Sequence, residues 1–403
     1  MARDYIVTGL DIGSGSIKLL IAQKKPGEDI LEVLGEAREN SSGVRKGVVI
    51  NTAEVTKNIN SCLDRTQEVL QKRVGSVNVN IGGSHIFSTH SHGLVSVSRA
   101  DQRISPEDIE RVLQAAQTIS LPTNKEILEV FPTDFIIDGE KGIKEPVGME
   151  GVRLETEVLA LCCFSPYLKN LTKAVLNSGL RIDDLVINPL ASSRAVLTPR
   201  EKELGVALLD IGAGTTSLAV FEEGSLIHAI IFPIGSANIT NDIAIGFKID
   251  IDTAERLKLE FGSCLLKGGE KKTRAKIASH SKPSAFSRKI LVNIIEARVS
   301  EIFGEVNKEL KKISRKELLP AGIVLTGGGA KLPKIADLGK KELKLPVRIG
   351  IPRGFSPPQE DPALSTVCGL ALLSVDFETE NKPRIFEKGI GSKLKRIFKI
   401  FLP

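Results

Sequence analysis

The sequence predicts an α/β protein of two similar lobes, with a small α+β subdomain inserted in the first lobe. Three observations predict this fold class. A motif that joins an apolar strand to a glycine-rich turn occurs twice, with Asp11 and Asp210 lying 199 residues apart. Strand-like segments around one capped helix lie between the two copies. The chain has 403 residues, 41% of them hydrophobic and 26% charged, which suffices for several units with their own cores.

The first copy of the motif begins near the N-terminus. An apolar segment leads into D-I-G-S-G-S over residues 11–16, and a second apolar run follows over 17–21. This pattern predicts a β-hairpin with a glycine-rich turn. The second copy has the same design, with D-I-G-A-G-T-T over residues 210–216 between two apolar runs. A repeat at about half the chain length predicts two homologous halves whose glycine turns face a shared cleft.

The segment between the copies has a clear helix start. Ser105 is the predicted N-cap, Pro106 takes the first helical position, and Asp108 follows three residues after the cap. Alternating segments at 94–98 and 126–130, with a glycine-rich hairpin near 138–142, predict strands around this helix. Helical periodicity returns at 168–176 and 290–310, and a short apolar strand at 323–325 ends in T-G-G-G-A.

The glycine turns have the chemistry of an anion site, because glycine lets several backbone N–H groups converge on one anion. Asp11 and Asp210 are predicted to hold one hydrated Mg²⁺ from two sides, and Lys18 to reach a phosphate. A single turn of this kind is more often an ordinary hairpin, so the prediction depends on the two copies together. The predicted phosphate-binding residues are Asp11, Gly13, Ser14, Gly15, Ser16, Lys18, Asp210, Gly212, Gly214, Thr215 and Thr216.

The two turns and the later glycine triplet resemble, in this order, the phosphate 1, phosphate 2 and adenosine motifs of the superfamily of actin, sugar kinases and heat-shock chaperone ATPases. Residues 187–193 and 361–372 resemble its two connecting segments. The resemblance implies an actin-like (ribonuclease H-like) two-lobed fold with ATP and Mg²⁺ as cofactors. It also implies adenosine contacts from Gly235, Glu255, Lys258, Gly327, Gly328 and Gly329. An ordinary surface pair is the alternative for Glu255 and Lys258, which share one helical face.

The resemblance narrows to one family, the bacterial cell-division protein FtsA. The most diagnostic parts of this resemblance are P-V-G-M-E-G-V-R-L over 146–154 and the basic C-terminal tail. Six further segments also match the family: 43–48, 81–85, 104–116, 135–138, 190–193 and 295–302. The family implies a cell-division protein that polymerises head to tail on the inner face of the cytoplasmic membrane at the division site. It further implies binding to the C-terminal peptide of the tubulin-like FtsZ, septum formation, and recruitment of later divisome proteins.

These observations predict the domain organisation. We expect the first lobe over residues 1–83 and 164–196, the inserted FtsA-type subdomain over 84–163, and the second lobe over 197–236 and 320–376. Residues 237–319 would form the small subdomain of the second lobe. Residues 377–391 would be a tether, and 392–403 an amphipathic membrane-targeting helix.

The tail can be interpreted without the family. An apolar stripe at helical spacing, flanked by basic residues, is typical of a helix that lies on an anionic lipid surface. About 11 residues rising ~1.5 Å each cover roughly half of a ~30 Å hydrocarbon core, so the helix cannot span it. A terminal helix docked on its own domain is the alternative. The predicted membrane residues are Lys393, Leu394, Lys395, Arg396, Ile397, Phe398, Lys399, Phe401 and Leu402.

Composition excludes several other functions. The net charge is +6, but residues 384–403 alone hold six basic side chains and one acidic one. With 4% aromatics and no Trp, there is little for base stacking, so we predict no nucleic-acid partner. Five cysteines without zinc-type spacing, and no signal-peptide pattern, predict a cytoplasmic protein. The basic run Lys267–Lys289 is either a contact for FtsZ or a solvated loop.

No catalytic residue is assigned. Asn188 stands just before Pro189, where hydrolysing relatives commonly have a carboxylate, and an amide cannot act as a general base. We therefore expect a weak ATPase at most. A pilus-assembly scaffold resembling PilM and a small-molecule kinase of the same fold are the alternatives. The basic terminal helix argues against both, because neither class carries such an anchor.

Overall fold

The computed structural model describes residues 5–70, 73–266, 274–277 and 284–378. The strands are β1 (Tyr5–Ile12), β2 (Ser16–Lys24), β3 (Leu31–Asn40), β4 (Val44–Arg45), β5 (Val48–Val49), β6 (Ser76–Ile81), β7 (Phe87–Ser96), β8 (Lys125–Ile137), β9 (Glu140–Ile143), β10 (Arg153–Phe164), β11 (Arg181–Ile187), β12 (Val206–Ile211), β13 (Thr216–Glu222), β14 (Ser225–Phe232), β15 (Arg274–Ile277), β16 (Ser284–Ser287), β17 (Ile323–Thr326), β18 (Val347–Ile349) and β19 (Phe355–Ser356). The helices are α1 (Thr52–Leu70), α2 (Pro106–Ala116), α3 (Ser165–Asn177), α4 (Asn188–Val196), α5 (Pro199–Leu204), α6 (Ser236–Phe247), α7 (Ile251–Phe261), α8 (Arg288–Lys312), α9 (Ile335–Leu343) and α10 (Ser365–Glu378).

Two large sheets repeat one topology. The first has the strand order β11-β6-β1-β2-β3-β19, and the second has the order β14-β13-β12-β17-β18. In each, three consecutive strands form an antiparallel meander, and two later strands add in parallel beside its first strand. The parallel strands need crossover connections, and those connections include helices. The predicted internal repeat and both glycine-turn hairpins are therefore confirmed.

The inserted segment forms a four-stranded antiparallel sheet, β7-β10-β8-β9, with α2 on one face. The predicted capping box is confirmed: Ser105 accepts from the backbone N–H of Asp108, and the Asp108 carboxylate accepts from the backbone N–H of Ser105. A Cβ on Gly93 would lie 2.3 Å from the Val112 carbonyl oxygen, so this strand glycine lets α2 pack closely. The insert also contacts β14, and Lys144 Nζ lies 3.2 Å from Glu223 Oε2.

The C-terminal part of the expected second lobe is divided between the lobes. β17, α9 and β18 belong to the second sheet, but β19 pairs with β3, and α10 packs on β1 and α4. The physical reason is that 364–375 are all buried, and an apolar helix of this kind needs cover on every side. The assignment of 320–376 to the second lobe is corrected accordingly. Residues 377 and 378 extend α10, whereas the remainder of the tether and 392–403 lie outside the described residues.

One apolar core joins the first sheet, α1, α3, α4 and α10 and reaches one face of the second sheet. A second core joins the other face of that sheet to α6, α7, α8 and α9, and a third lies inside the insert. In the described ranges, no helix is both long enough and apolar enough to cross a bilayer.

Candidate functional site

The two glycine turns, residues 12–16 and 211–216, meet each other. A Cβ added to Gly15 would lie 2.7 Å from the Cβ of Ala213, and one added to Gly214 would lie 2.8 Å from Ser14 Oγ. Real Cβ atoms do not approach other atoms this closely, so glycine is required at both positions for the contact. The repeat thus brings its two turns to a single place, as the sequence predicts.

Other predicted residues surround the second turn. The N–H groups of Ser236 and Ala237 donate to the carbonyl oxygens of Gly212 and Ala213 at 2.9 and 2.8 Å, which places the start of α6 against the turn. A Cβ on Gly235 would lie 2.5 Å from the Ala213 carbonyl oxygen. Close packing therefore excludes any larger residue at this position.

The glycine triplet closes the other side of β12. Gly327 has a φ of +82°, and a Cβ there would lie 2.2 Å from Asp210 Oδ1. A Cβ on Gly329 would lie 2.4 Å from Ile211 Cγ2. Gly327 and Gly329 therefore lie directly against the strand that carries Asp210, while a Cβ on Gly328 would lie 4.0 Å from the Cβ of Ala363, an ordinary van der Waals distance.

The turns keep backbone donors available. In the part of the chain that the structure describes, the N–H groups of Ser14, Gly15, Ala213 and Gly214 donate to no other protein atom. These residues are partly or fully accessible. Several free N–H groups converging from two turns form the type of concave surface that binds phosphate oxygens.

The Asp11 carboxylate is held by two neighbouring side chains, Lys18 and Asn80. It is 5% exposed, and its Oδ2 lies 2.6 Å from the Nζ of Lys18, the residue opposite it in the hairpin. Its Oδ1 accepts from the side-chain amide of Asn80 at 2.8 Å. The side-chain Oδ1 of Asn80 in turn accepts from the backbone N–H of Ile12 at 2.6 Å, and its Nδ2 also donates to Asn188 Oδ1 at 3.0 Å. The charge of Lys18 is therefore already compensated by Asp11.

Asp210 is equally enclosed. It is 8% exposed and accepts hydrogen bonds from the hydroxyls of Ser192 on α4 and Thr366 on α10, at 2.5 and 3.2 Å. Burial raises the pKa of its carboxyl group, and the negative charge of Asp11 raises it further, while the bonds from Ser192 and Thr366 lower it. Two carboxylates that repel each other across a cleft favour a bound cation between them.

The donor set fits a magnesium ion rather than a transition metal. The carboxylates of Asp11 and Asp210 offer oxygen ligands in the cleft, and the described residues contain no cluster of three or more His, Cys, Asp or Glu side chains suited to a metal. Mg²⁺ prefers oxygen ligands, and it usually keeps several waters while binding one or two carboxylates and substrate phosphates.

Glu255 and Lys258 contact each other and Thr240; Lys258 and Thr240 are buried, whereas the Glu255 side chain is 41% exposed. Lys258 is 6% exposed, and its Nζ lies 2.7 Å from Glu255 Oε2 and 2.9 Å from the Thr240 hydroxyl. It also donates to the Ser236 carbonyl oxygen at 3.3 Å. These contacts join α7 to the first turn of α6, directly beside the second glycine turn.

Asn80, Ser192 and Thr366 were not among the predicted site residues. Asn80 had a signal, because S-V-N-V-N-I in β6 places amides inside an otherwise buried strand. Ser192 and Thr366 lie in the two segments, 187–193 and 361–372, that resemble the connecting segments of the superfamily, but neither hydroxyl has a local signal of its own. Asn188 begins α4 and accepts from Asn80, and its amide nitrogen would lie 3.0 Å from a Cβ on Gly82.

The fold and the cleft define a class: an actin-like, two-lobed protein with an inserted subdomain. A search of solved structures agrees with this class. The structure is similar to a chain of a PilM–PilN type IV pilus biogenesis complex, with a TM-score of 0.67 and 18% identity, covering 92% of this chain and 98% of that one. It is also similar to MreB5 of Spiroplasma citri bound to AMPPNP, with a TM-score of 0.56 and 13% identity, covering 94% and 98%. Likeness at these identities concerns the fold alone.

Sequence comparisons identify the family. A model described as cell division protein FtsA matches residues 207–369, and one described as the SHS2 domain inserted in FtsA matches residues 83–162. The chain is 36% identical to the FtsA of Pseudomonas aeruginosa over 93% of this chain and 90% of that protein. It is 36% identical to that of Borreliella burgdorferi, over 99% and 97%, and 31% identical to that of Escherichia coli K12, over 97% and 96%. The chain belongs to the FtsA family of cell-division proteins.

Proposed function

We propose that this actin-like cell-division protein binds ATP with Mg²⁺ between its two lobes. The observation that carries the proposal is the meeting of two glycine turns, with uncommitted N–H groups, beside the buried carboxylates of Asp11 and Asp210. A phosphate chain supplies the negative charge that those N–H groups accommodate. Burial raises the pKa of Asp210 and the charge of Asp11 raises it further, and a cation between the two carboxylates would relieve the repulsion between them.

Each part of the cleft has a role in this proposal. The two glycine turns hold the phosphates, and Asp11 and Asp210 hold Mg²⁺ through its waters. Gly235, the glycine triplet and the Glu255–Lys258 pair border the nucleoside. Bound Mg²⁺ would neutralise phosphate charge, while the protein fixes the position of the nucleotide.

We expect weak hydrolysis at most. Asn188 lies near Asp11 through Asn80, and its amide cannot remove a proton from water. Asp11 itself is engaged by Lys18 and Asn80. The protein would thus use the nucleotide mainly to fix the relative position of its lobes.

Beyond the cleft, we propose a peripheral membrane protein that polymerises head to tail at the division site. Family membership supports FtsZ, later divisome proteins and a second copy of the chain as partners. The tail residues 392–403, which lie outside the described residues, would attach the filament to the inner face of the membrane. Each basic residue near an anionic leaflet contributes about 1 kcal/mol. A single tail therefore binds weakly, and a polymer multiplies many weak anchors.

The nucleotide proposal is tested by titration calorimetry of the full chain with ATP and Mg²⁺. We expect saturable binding that Asp11→Asn and Asp210→Asn each reduce strongly. Asp64→Asn, an exposed change on α1, is the matched control and should bind as the original chain does. Absence of ATP uptake by the unmodified protein would contradict the proposal.

The membrane proposal is tested by co-sedimentation with liposomes containing anionic lipid, with and without ATP. We expect the full chain to sediment, and more so with ATP, whereas a chain that ends at residue 391 stays in solution. Liposomes of zwitterionic lipid alone are the control for charge. Equal sedimentation of the full and shortened chains would show that the tail is not the anchor.

A further inference from the structure

A short hairpin of the first lobe lies against both glycine turns. We call residues 43–50 the cleft hairpin; it contains the paired strands β4 and β5. The N–H of Gly47 donates to Ser14 Oγ at 2.7 Å, which attaches the hairpin to the first turn. The Cα of Lys46 lies 3.3 Å from the position that a Cβ on Gly214 would take, which brings the hairpin against the second turn.

Glycines fix the position of this hairpin. Gly43 has a φ of +79° and Gly47 a φ of +76°. A Cβ on Gly43 would lie 2.6 Å from the Asn51 carbonyl oxygen, and one on Gly47 would lie 2.6 Å from the N of Gly83. The N–H of Ile50 also donates to the Gly43 carbonyl oxygen at 2.8 Å. The backbone of the cleft hairpin is thus packed against Asn51 at one end and against Gly83 near its tip.

Lys46 occupies the tip of the cleft hairpin in an unusual conformation. Its φ is +49°, in the left-handed region that costs a non-glycine residue roughly 1 kcal/mol or more. The side chain is exposed. Among the described residues, no carboxylate pairs with it. Lys18, by contrast, is buried and paired with Asp11 at 2.6 Å.

We propose that Lys46 recognises the terminal phosphate of a nucleoside triphosphate in this cleft, an inference that rests on the proposed function. Gly235, Gly327 and Gly329 lie against residues 210–213, and the proposed function assigns this side of the second turn to the nucleoside. Lys46 lies against the next residue, Gly214. A phosphate chain that starts on the nucleoside side and passes the turns therefore ends near Lys46.

Charge and reach support the same assignment. The four-carbon stem of lysine carries its ammonium roughly 6 Å from Cα and can adjust to a phosphate oxygen. The terminal phosphate distinguishes a triphosphate from a diphosphate mainly by its added negative charge. The ammonium group of Lys18 is already paired with Asp11. Of the two lysines, Lys46 is therefore the one whose positive charge remains available to the terminal phosphate.

The experiment compares binding of ATP and ADP, each with Mg²⁺, to the full chain by titration calorimetry. For Lys46→Met we expect ATP affinity to fall about tenfold or more, as for loss of a charged hydrogen bond, with ADP affinity nearly unchanged. Lys46→Arg should restore most of the ATP affinity. Arg45→Met removes an exposed positive charge from the adjacent position and should bind both nucleotides as the unmodified chain does.

The outcomes separate the two proposals. Equal losses for ATP and ADP in Lys46→Met, or no loss of ATP affinity, would overturn the role of Lys46 while leaving nucleotide binding intact. A loss of ATP affinity in Arg45→Met as large as in Lys46→Met would overturn it as well, because the effect would then be general electrostatics. If the unmodified chain binds neither nucleotide, both proposals fail. If Lys46→Met unfolds at the same midpoint temperature as the unmodified chain, any change in its ATP affinity comes from the cleft and not from a loss of overall stability.

Discussion

The crossing of α4 and α10 allows a sharp test of packing against helix propensity. The α-carbon of Gly369 faces Ala191, and a Cβ there would lie 1.7 Å from the Ala191 carbonyl oxygen and 2.4 Å from its carbonyl carbon. Gly304 lies in α8, where an added Cβ would meet no atom within 4 Å. Both glycines are helical, so the change to alanine has the same local propensity effect at each.

The expected signs are opposite. Alanine is favoured over glycine in a helix by roughly 1 kcal/mol, so Gly304→Ala should raise the free energy of unfolding by about that amount. At Gly369, the new methyl group overlaps the backbone of the facing helix, so the helices must move apart. Overpacking typically costs 1 to 3 kcal/mol, and overlap with backbone suggests about 3. The net effect of Gly369→Ala is then a loss of about 2 kcal/mol.

The assay is urea unfolding of both variants and the unmodified chain at 25 °C without nucleotide. We expect Gly304→Ala to shift the urea midpoint upward and Gly369→Ala to shift it downward, with a similar slope for both variants and the unmodified chain. A Gly369→Ala protein as stable as Gly304→Ala would refute the close crossing of α4 and α10. It would then also bring into question the hydrogen bonds that Ser192 and Thr366, on these two helices, donate to Asp210.

Three further predictions concern ionisable groups. Burial alone would raise the pKa of the Asp108 carboxyl, but hydrogen bonds from Ser105, Arg111 and Ser98 hold it well below its usual range; its stabilisation is present above the unfolded pKa and lost as the pH falls through the folded one. Asp108→Asn should thus lower the free energy of unfolding by about 1 to 3 kcal/mol at pH 7, and a gap to the unmodified chain that does not narrow as the pH falls below the unfolded pKa of about 4 would contradict this. Burial lowers the pKa of His85 from 6.5 to about 4, so stability should fall as the pH drops from about 6.5 towards 4. His85→Phe, which can keep the ring contact with Tyr167, should reduce that fall in a series of urea titrations, and an unchanged pH profile would exclude His85 as its source. Burial raises the pKa of Asp210, so its ionisation costs stability as the pH rises above the unfolded pKa. Without nucleotide, Asp210→Asn should therefore be at least as stable as the unmodified chain at pH 7. A strongly lowered urea midpoint of Asp210→Asn would show instead that the charge stabilises the empty cleft.

Much of the fold was accessible from local pattern. The two hairpins, the capping box at Ser105 and the repeated halves each depend on residues close in the chain, and the structure confirms them. A turn needs glycine, and a helix start needs a cap, whatever the remainder of the chain does. Asp11 and Asp210 could also be singled out, because each lies at the end of an apolar strand and just before a glycine turn, and their role in binding Mg²⁺ stays a prediction.

The contacts of those aspartates were not accessible in this way. Asn80 is 69 residues from Asp11, and Thr366 is 156 residues from Asp210. Nothing in the sequence near Thr366 separates a hydroxyl that faces a carboxylate from one that covers the core. The end of α10 posed the same problem, since its apolar residues fit either sheet and its order in the chain suggested the second lobe.

The sequence by itself determined the repeated α/β halves, the insert and the family, because strand alternation, turn glycines and helix caps are local consequences of backbone stereochemistry. Only the tertiary structure decided that α10 covers the first sheet, that Lys18 is compensated by Asp11, and that the cleft hairpin brings Lys46 to the second glycine turn. The physical reason is that partners distant in the chain are selected by shape and burial over the whole core, and no short segment carries that information.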